Sequence, residues 1–252
     1  MYGEEITVKI DAKGLNYREL NERIHDAVSK GVDEIDLVNV LGQRYIGTGL
    51  DREVTLNIYG TPGSDLGAFM DGPKINVFGS GQDDIGNTMN SGSIVIHGDA
   101  GNVVGLSMRT GKIFVKGSVG YRAGIHMKAY QDQCPVMVVG GKAGDFLGEY
   151  MAGGKLILLG IFKKEKDQVA GRYIATGMHG GVIYIRGGVN KNQVGRDVAV
   201  EEVTDEEKAE IRGEIEEFCR HFGITRIDDI MASPFVRLSP KSSRPYGKLY
   251  AY

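Results

Sequence analysis

The chain has 252 residues, 41% of them hydrophobic and 25% charged, with a formal net charge of −3. That near-neutral balance does not point to nucleic acid, and no apolar run approaches the ~18 residues that a membrane-spanning helix needs. Met1–Glu5 lacks a basic-then-apolar pattern, so no signal peptide is expected, and two distant cysteines, Cys134 and Cys219, argue against a disulfide framework and for a reducing cytoplasm.

The first 52 residues read as a small α/β capping unit. Glu5–Ile10 alternates like a strand, Asn16 and Glu19 have capping-box spacing, and Leu20, Ile24, Ala27 and Val28 follow at helical intervals until Gly31. Ile35–Val40 reads as a second strand. Such a unit would close the first coil of a solenoid and protect its open edge.

Residues 53–195 form a repeat. Of the 252 residues, 38 are glycine, about twice the usual ~7%, and their spacing is regular. One row ends short β-branched strands at Gly60, Gly79, Gly98, Gly117, Gly140, Gly160 and Gly187; its first three steps are 19 residues each. Two and four residues before each glycine the side chain is apolar, which is the period of a strand with one buried face. A second row follows at Gly67, Gly86, Gly105, Gly124, Gly148 and Gly171. Three residues further on stand Met70, Met89, Met108, Met127, Met151 and then Ile174. Equivalent positions of stacked coils lie ~4.8 Å apart, so these rows predict apolar ladders inside a cylinder, with the glycines at its corners. The expected fold is mainly β: a single-stranded, right-handed parallel β-helix of about seven coils.

Residues 196–252 change character. Thr204 and Glu207 form another capping box, and Ile211, Ile215, Phe218, Cys219 and Phe222 make one apolar stripe that ends at Gly223. An extended tail with three tyrosines, among them Tyr246 and Tyr250, follows as a docking arm or a strap. Three residues before the strand glycines the side chains should face outward, and in later coils these are Phe114, Met137, Ile157 and Tyr184. An apolar outer stripe requires a cover, so Phe114, Met137, Ile157, Tyr246 and Tyr250 are the candidate partner surface, with the C-terminal helix or another subunit as the cover.

Chemical sites are poorly supported. Gly79-Ser-Gly81 reaches Asp84 where a dinucleotide motif needs its third glycine. His97, His126 and His179 occupy different repeat positions and show no metal-ligand spacing. Two cysteines are too few for an iron–sulfur cluster. Asp65, Asp83, Asp84, Asp99 and Asp145 suit turns, although an independent carbohydrate-active β-helix would also gather carboxylates outside. No catalytic, cofactor-binding or metal-binding residue is assigned.

Gly144-Asp-Phe-Leu-Gly-Glu-Tyr-Met-Ala-Gly-Gly154 resembles a segment of the C-terminal GXGXG domain of glutamate synthase large subunits. Glu149, Tyr150, Met151, Gly153 and Gly154 match; Phe146, Leu147 and Gly148 replace His, Gly and Cys. Gly60–Met70 and Gly86-Asn-Thr-Met resemble other parts of that domain. Arg18–Asn21, Asn39–Gly47 and the Arg244-Pro-Tyr tail resemble its stand-alone form, found where the enzyme is split into several chains. The resemblance implies a non-catalytic scaffold in ammonia assimilation, which converts glutamine and 2-oxoglutarate to two glutamates. Glutaminase and flavin-domain subunits would be its partners, with FMN and the iron–sulfur cluster in those partners and none in this chain. Self-association is compatible with it. The β-helical subunit of formylmethanofuran dehydrogenase has a similar repeat and is the alternative.

Overall fold

The structure, a computed structural model, describes residues 6–162 and 168–242. Tyr246, Tyr250 and the Arg244-Pro-Tyr segment lie outside the described residues. In chain order the elements are β1 (Thr7–Asp11), α1 (Tyr17–Ser29), β2 (Glu34–Leu41), β3 (Thr55–Thr61), β4 (Lys74–Val77), β5 (Ser93–Ile96), β6 (Lys112–Val115), β7 (Val136–Val139), β8 (Ala152–Leu158) and β9 (Gly180–Arg186). Then come β10 (Val198–Glu202), α2 (Asp205–Phe222), α3 (Ile227–Ala232) and β11 (Phe235–Pro240). One sheet takes all strands in the order β1-β2-β3-β4-β5-β6-β7-β8-β9-β11-β10. Strands β1 to β9 are parallel neighbours, and β11 is antiparallel to both β9 and β10.

The parallel strands are one wall of a β-solenoid of about six turns. Two ladders face its interior, Ile35-Leu56-Ile75-Ile94-Ile113-Met137-Leu156-Ile183 and Leu37-Ile58-Val77-Ile96-Val115-Val139-Leu158-Ile185. All sixteen side chains are fully buried. The opposite wall contributes Leu66, Ile85, Val104, Ala123 and Leu147, with the methionine row beside them. The stack begins earlier than residue 53. Gly67 N–H donates to Ile46 O at 2.9 Å and Asp71 N–H to Leu50 O at 2.7 Å, so Ile46, Gly47 and Leu50 lie in the rows of Leu66, Gly67 and Met70. Helix α1, with its Asn16–Glu19 capping box, buries Leu20, Ile24, Ala27 and Val28 in the same core and closes this end.

Two register assignments change. Gly141, not Gly140, stacks on Gly117, to whose carbonyl its N–H donates at 2.7 Å. A one-residue offset exchanges the two faces of a strand, so Met137 points into the cylinder and Val138 takes the outward place between Phe114 and Ile157. Likewise Gly171 stacks beside Gly144. Ala175, at φ 57°, takes the place of the second glycine, with its N–H on Leu147 O at 2.7 Å. Met178 therefore ends the methionine ladder, and Ile174 lies in the row of Leu147. Seven stacked rungs, at Gly47, Gly67, Gly86, Gly105, Gly124, Gly148 and Ala175, are thus separated by six turns.

The two glycine rows serve different ends. Gly67, Gly86, Gly105, Gly124 and Gly148 have φ between 65° and 74°, where a side chain is strained. In the strand-end row Gly60, Gly160 and Gly187 have positive φ, and the four between Gly60 and Gly160 do not. Gly79 and Gly98 are instead packed against the coil below: a Cβ on Gly79 would lie 2.5 Å from Gly60 O, and one on Gly98 2.9 Å from Gly79 O. Gly117 and Gly140 are crowded in the same way.

The outer stripe is covered from within the chain. α2 lays Ile211, Ile215, Phe218 and Cys219 over Val95, Phe114, Val138, Ile157 and Tyr184. Phe114 and Ile157 are fully buried there and Met137 lies inside the cylinder, so none of the three is a free partner surface. Thr204 and Glu207 cap α2, and Gly223 ends it at φ 64°. Lys112–Glu217 at 2.5 Å, Lys155–Glu214 at 2.6 Å and Arg237–Glu207 at 2.5 Å fasten its polar flanks.

Candidate interaction surfaces

Each turn bends around the second glycine through three left-handed residues, spaced i, i+2 and i+4. In the rung of Gly67 these are Asp65, Gly67 and Phe69, at φ 61°, 65° and 59°. The outer two repeat as Asp84 and Thr88, Val103 and Ser107, Arg122 and His126, Phe146 and Tyr150. Because their Cα–Cβ bonds leave the cylinder, these residues form a corner wall whose side chains carry no packing duty inside.

In the later rungs this wall is aromatic and cationic. Phe146 and Tyr173 stack at 4.8 Å, and the Arg122 guanidinium lies 5.4 Å from the Phe146 ring centre. His126 stacks on Tyr150 at 5.4 Å with an interplanar angle of 10°. Glu149 is a buried carboxylate whose Oε2 accepts from Arg122 Nε at 3.0 Å. A buried carboxylate is tolerated when paired, and here the pairing holds the half-exposed guanidinium in one orientation. Glu149 and Tyr150 belong to the segment that carries the sequence resemblance.

The early rungs differ. Asp65 faces Arg44 at 3.6 Å, and the Asp84 carboxyl is pushed up by burial and by the neighbouring Asp65 and Asp83. The other turn aspartates are engaged by the backbone. Asp83 Oδ1 accepts from Asn102 N–H at 2.7 Å, Asp99 from Ser118 N–H at 2.6 Å and Asp145 from Arg172 N–H at 2.7 Å. These bonds staple one coil to the next, a structural role that sequence spacing alone does not reveal.

A second surface is the outer sheet face that α2 leaves open. There Tyr59 and Phe78 are 43% and 44% exposed and stack at 4.9 Å. The stack continues through His97, 4.9 Å from Phe78, to Phe222 at the end of α2. Asn57, nearly buried beside it, donates to Glu34 and Asp36 and accepts from Asn76 Nδ2 at 2.9 Å. Burial holds the His97 imidazole below its usual range, with Lys116 and His221 adding to the effect. His179 Nδ1 lies 3.2 Å from Gly177 O. Cys134 is exposed and Cys219 lies on the buried face of α2, and burial raises both thiols. Among the described residues no group of three or more His, Cys, Asp or Glu could hold a metal ion.

Near the N-terminus, Arg18–Asn21 and Asn39–Gly47 meet. Asn21 Nδ2 donates to Tyr17 O at 2.7 Å and Arg44 O at 2.9 Å, and Gln43 Nε2 donates to Ala12 O and Leu15 O. These bonds tie α1 to the first rung.

The "GXGXG motif" family description matches residues 27–241. The chain belongs to the GXGXG family. It is 51% identical over 250 residues to the uncharacterized protein MJ1350 of Methanocaldococcus jannaschii, covering 96% of both chains. A chain of the formyltransferase/hydrolase complex from Methylorubrum extorquens, solved in complex with methylofuran, shares the fold. It matches with a TM-score of 0.60 and 16% identity over 89% of this chain and 88% of that one. No helix among the described residues is long and apolar enough to cross a membrane.

Proposed function

We propose that the chain is a non-catalytic, cytoplasmic scaffold subunit of a split glutamate synthase, holding glutaminase and flavin-domain subunits together. The observation that carries a scaffold role is the half-covered outer sheet face. The chain's own α2 covers the strands from Val95 onward and stops where Tyr59 and Phe78 begin. Exposed, stacked aromatic side chains beside a covered layer are what a protein interface uses as its core. The complex is assigned from the Gly144–Gly154, Arg18–Asn21 and Asn39–Gly47 resemblances. FMN and the iron–sulfur cluster would reside in the partners.

The formyltransferase/hydrolase neighbour favours a second reading, the β-helical subunit of a complex of that type. Affinity purification of the tagged chain from native extract, with identification of what co-purifies, separates the two. Glutaminase and flavin-domain subunits are expected; formyltransferase or hydrolase subunits instead would support the second reading. A flavin spectrum from the isolated folded chain, or sugar cleavage by it, would overturn the non-catalytic assignment.

A further inference from the structure

The corner wall, together with the exposed row two residues beyond its last left-handed position, is charge-polarised along the cylinder. Its first three rungs present Asp51, Asp65, Asp71 and Asp84; its fourth and fifth present Arg109, Arg122 and Lys128. Asp51, Asp71, Arg109, Arg122 and Lys128 are exposed, and Asp65 and Asp84 are partly so. Contacts within the chain compensate only part of this pattern. Arg44 faces Asp65, Ser91 Oγ donates to Asp71, Arg109 bonds Asn90 and Arg122 pairs with Glu149. Asp51, Asp84 and Lys128 have no side-chain hydrogen bond or ion pair among the described residues.

A two-fold axis reverses a cylinder end for end and keeps each row opposite itself. It must lie in the contact plane, perpendicular to the cylinder, between the third and fourth rungs. Asp65 then faces Arg122 of the second copy and Asp71 faces Lys128, while Asp51, Asp84 and Arg109 face the uncharged Ala152, Val103 and Asn90. Phe69 lies opposite His126, and Tyr150 lies opposite Gly49, which has no side chain to obstruct it. Every pairing occurs twice, as in any isologous contact. Parallel copies would oppose like charges on the second rung, Asp65 and Asp71, and on the fifth, Arg122 and Lys128, a costly arrangement.

We infer that this wall binds a second copy of the chain, antiparallel, through the matched acidic and basic halves of its corner rows. The contact spans six rungs, ~29 Å at ~4.8 Å per rung. It does not use the open Tyr59–Phe78 face, so a dimeric core would leave that surface available in two copies. The inference is independent of which complex the chain serves.

The test is sedimentation of the purified full chain, without any partner. The wild type should dimerise, and added salt should weaken the dimer. Lys128→Glu places two like-charge contacts in each dimer and should weaken association by at least ~100-fold. Asp71→Lys should do the same. Because Lys128 and Asp71 are exposed, both variants should keep the wild-type circular dichroism spectrum. Mixing the two variants should restore a dimer, now a heterodimer, because both contacts become attractive again. A wild type that stays monomeric at its highest soluble concentration overturns the inference. So does a dimer that Lys128→Glu leaves intact, or a mixture that fails to associate. None of these results bears on co-purification of other subunits, so the scaffold reading stands or falls separately.

Discussion

Removing the Phe218 ring should unlatch α2 from the cylinder while leaving the cylinder folded. Phe218 is fully buried, packs edge-to-face on Phe222 at 4.8 Å and reaches Gly140 so closely that a Cβ there would lie 2.7 Å from its Cζ. Phe→Ala at such a site costs ~3–5 kcal/mol. What remains to hold α2 is chiefly Ile211 and Ile215, each contributing ~1.5–3 kcal/mol by burial, with the smaller Cys219 and the partly buried Phe222 beside them, and partly exposed ion pairs at ~0–1 kcal/mol apiece. Part of that is offset by the entropy of ordering the helix. The lost ring is therefore a large fraction of the net docking energy. Hydrogen exchange resolves the consequence. Amides of α2 in Phe218→Ala should open ~100-fold or more faster, at ~1.4 kcal/mol per tenfold. Amides of β4 and β5, which are hydrogen-bonded on both sides, should keep wild-type protection. Lys112→Gln, which removes one flanking pair, should change α2 protection by less than ~10-fold. Equal loss of protection in α2 and in β4 would refute the reasoning, because it would make helix and cylinder one cooperative unit.

Other perturbations test the corners, the register and the histidine contacts. Val103 is a β-branched residue at φ 61°, a conformation costing ~1–2 kcal/mol for side chains of this kind, so Val103→Asn should raise the urea midpoint; a lowered midpoint would show that its side-chain contacts outweigh the strain. Met137→Asp should abolish folding or cost ~4 kcal/mol or more by burying a charge, whereas Tyr59→Asp on the open face should leave thermal stability nearly unchanged, and equal effects would contradict the register. His97 and His221 are both held below the usual imidazole range, chiefly by burial; Lys116 and His221 act on the first, and Arg220 and Lys112 on the second against the opposing pull of Glu217. Folded histidines therefore stay neutral where unfolded ones take up a proton, so their contribution is full above pH ~6.5 and is lost as the pH falls below it. The melting temperature of the wild type should drop more between pH 7 and 5 than that of His97→Gln/His221→Gln, and identical slopes would exclude the linkage.

The cylinder was legible because its signal is repeated. A strand of four residues is weak by itself, but Ile58, Val77, Ile96 and Val115 recur at 19-residue steps with a glycine two places later, and only a stack explains a fixed step. Legibility failed where the step changed. Two adjacent glycines, Gly140 and Gly141, compete for one strand end, and the first gives a step of 23 residues. The methionine row resolves the choice, because Met127 to Met151 is 24 residues and so is Gly117 to Gly141. The same row would have found Met178, since Gly160 to Gly187 and Met151 to Met178 are both 27. A coil must close, so an insertion displaces every later row by the same amount, and two rows checked against each other fix a register that one row leaves ambiguous.

The interaction surfaces were less legible for a physical reason. Inside the cylinder, each position repeats because each coil meets the same neighbours above and below. At the corners, the side chains at Asp65, Asp84, Val103, Arg122, Phe146 and Tyr173 face outward, and stacking places no demand on their chemistry. Variation along such a row reads as noise when the repeat is sought: Asp65 and Asp84 share one repeat position, which then reads Val103 and Arg122. On the folded chain that variation is ordered: acidic, then apolar, then basic, then aromatic, on a corner whose backbone is the same at every rung. The strain of the twelve flanking corner residues at positive φ, from Tyr45 to Tyr173, each at ~1–2 kcal/mol, is carried where glycine would remove it. Glycine fills the middle of the three corner positions in five consecutive rungs from Gly67 to Gly148, so it is acceptable to the bend. Its replacement at the flanking positions is therefore explained better by the side chains those positions present than by any requirement of the fold.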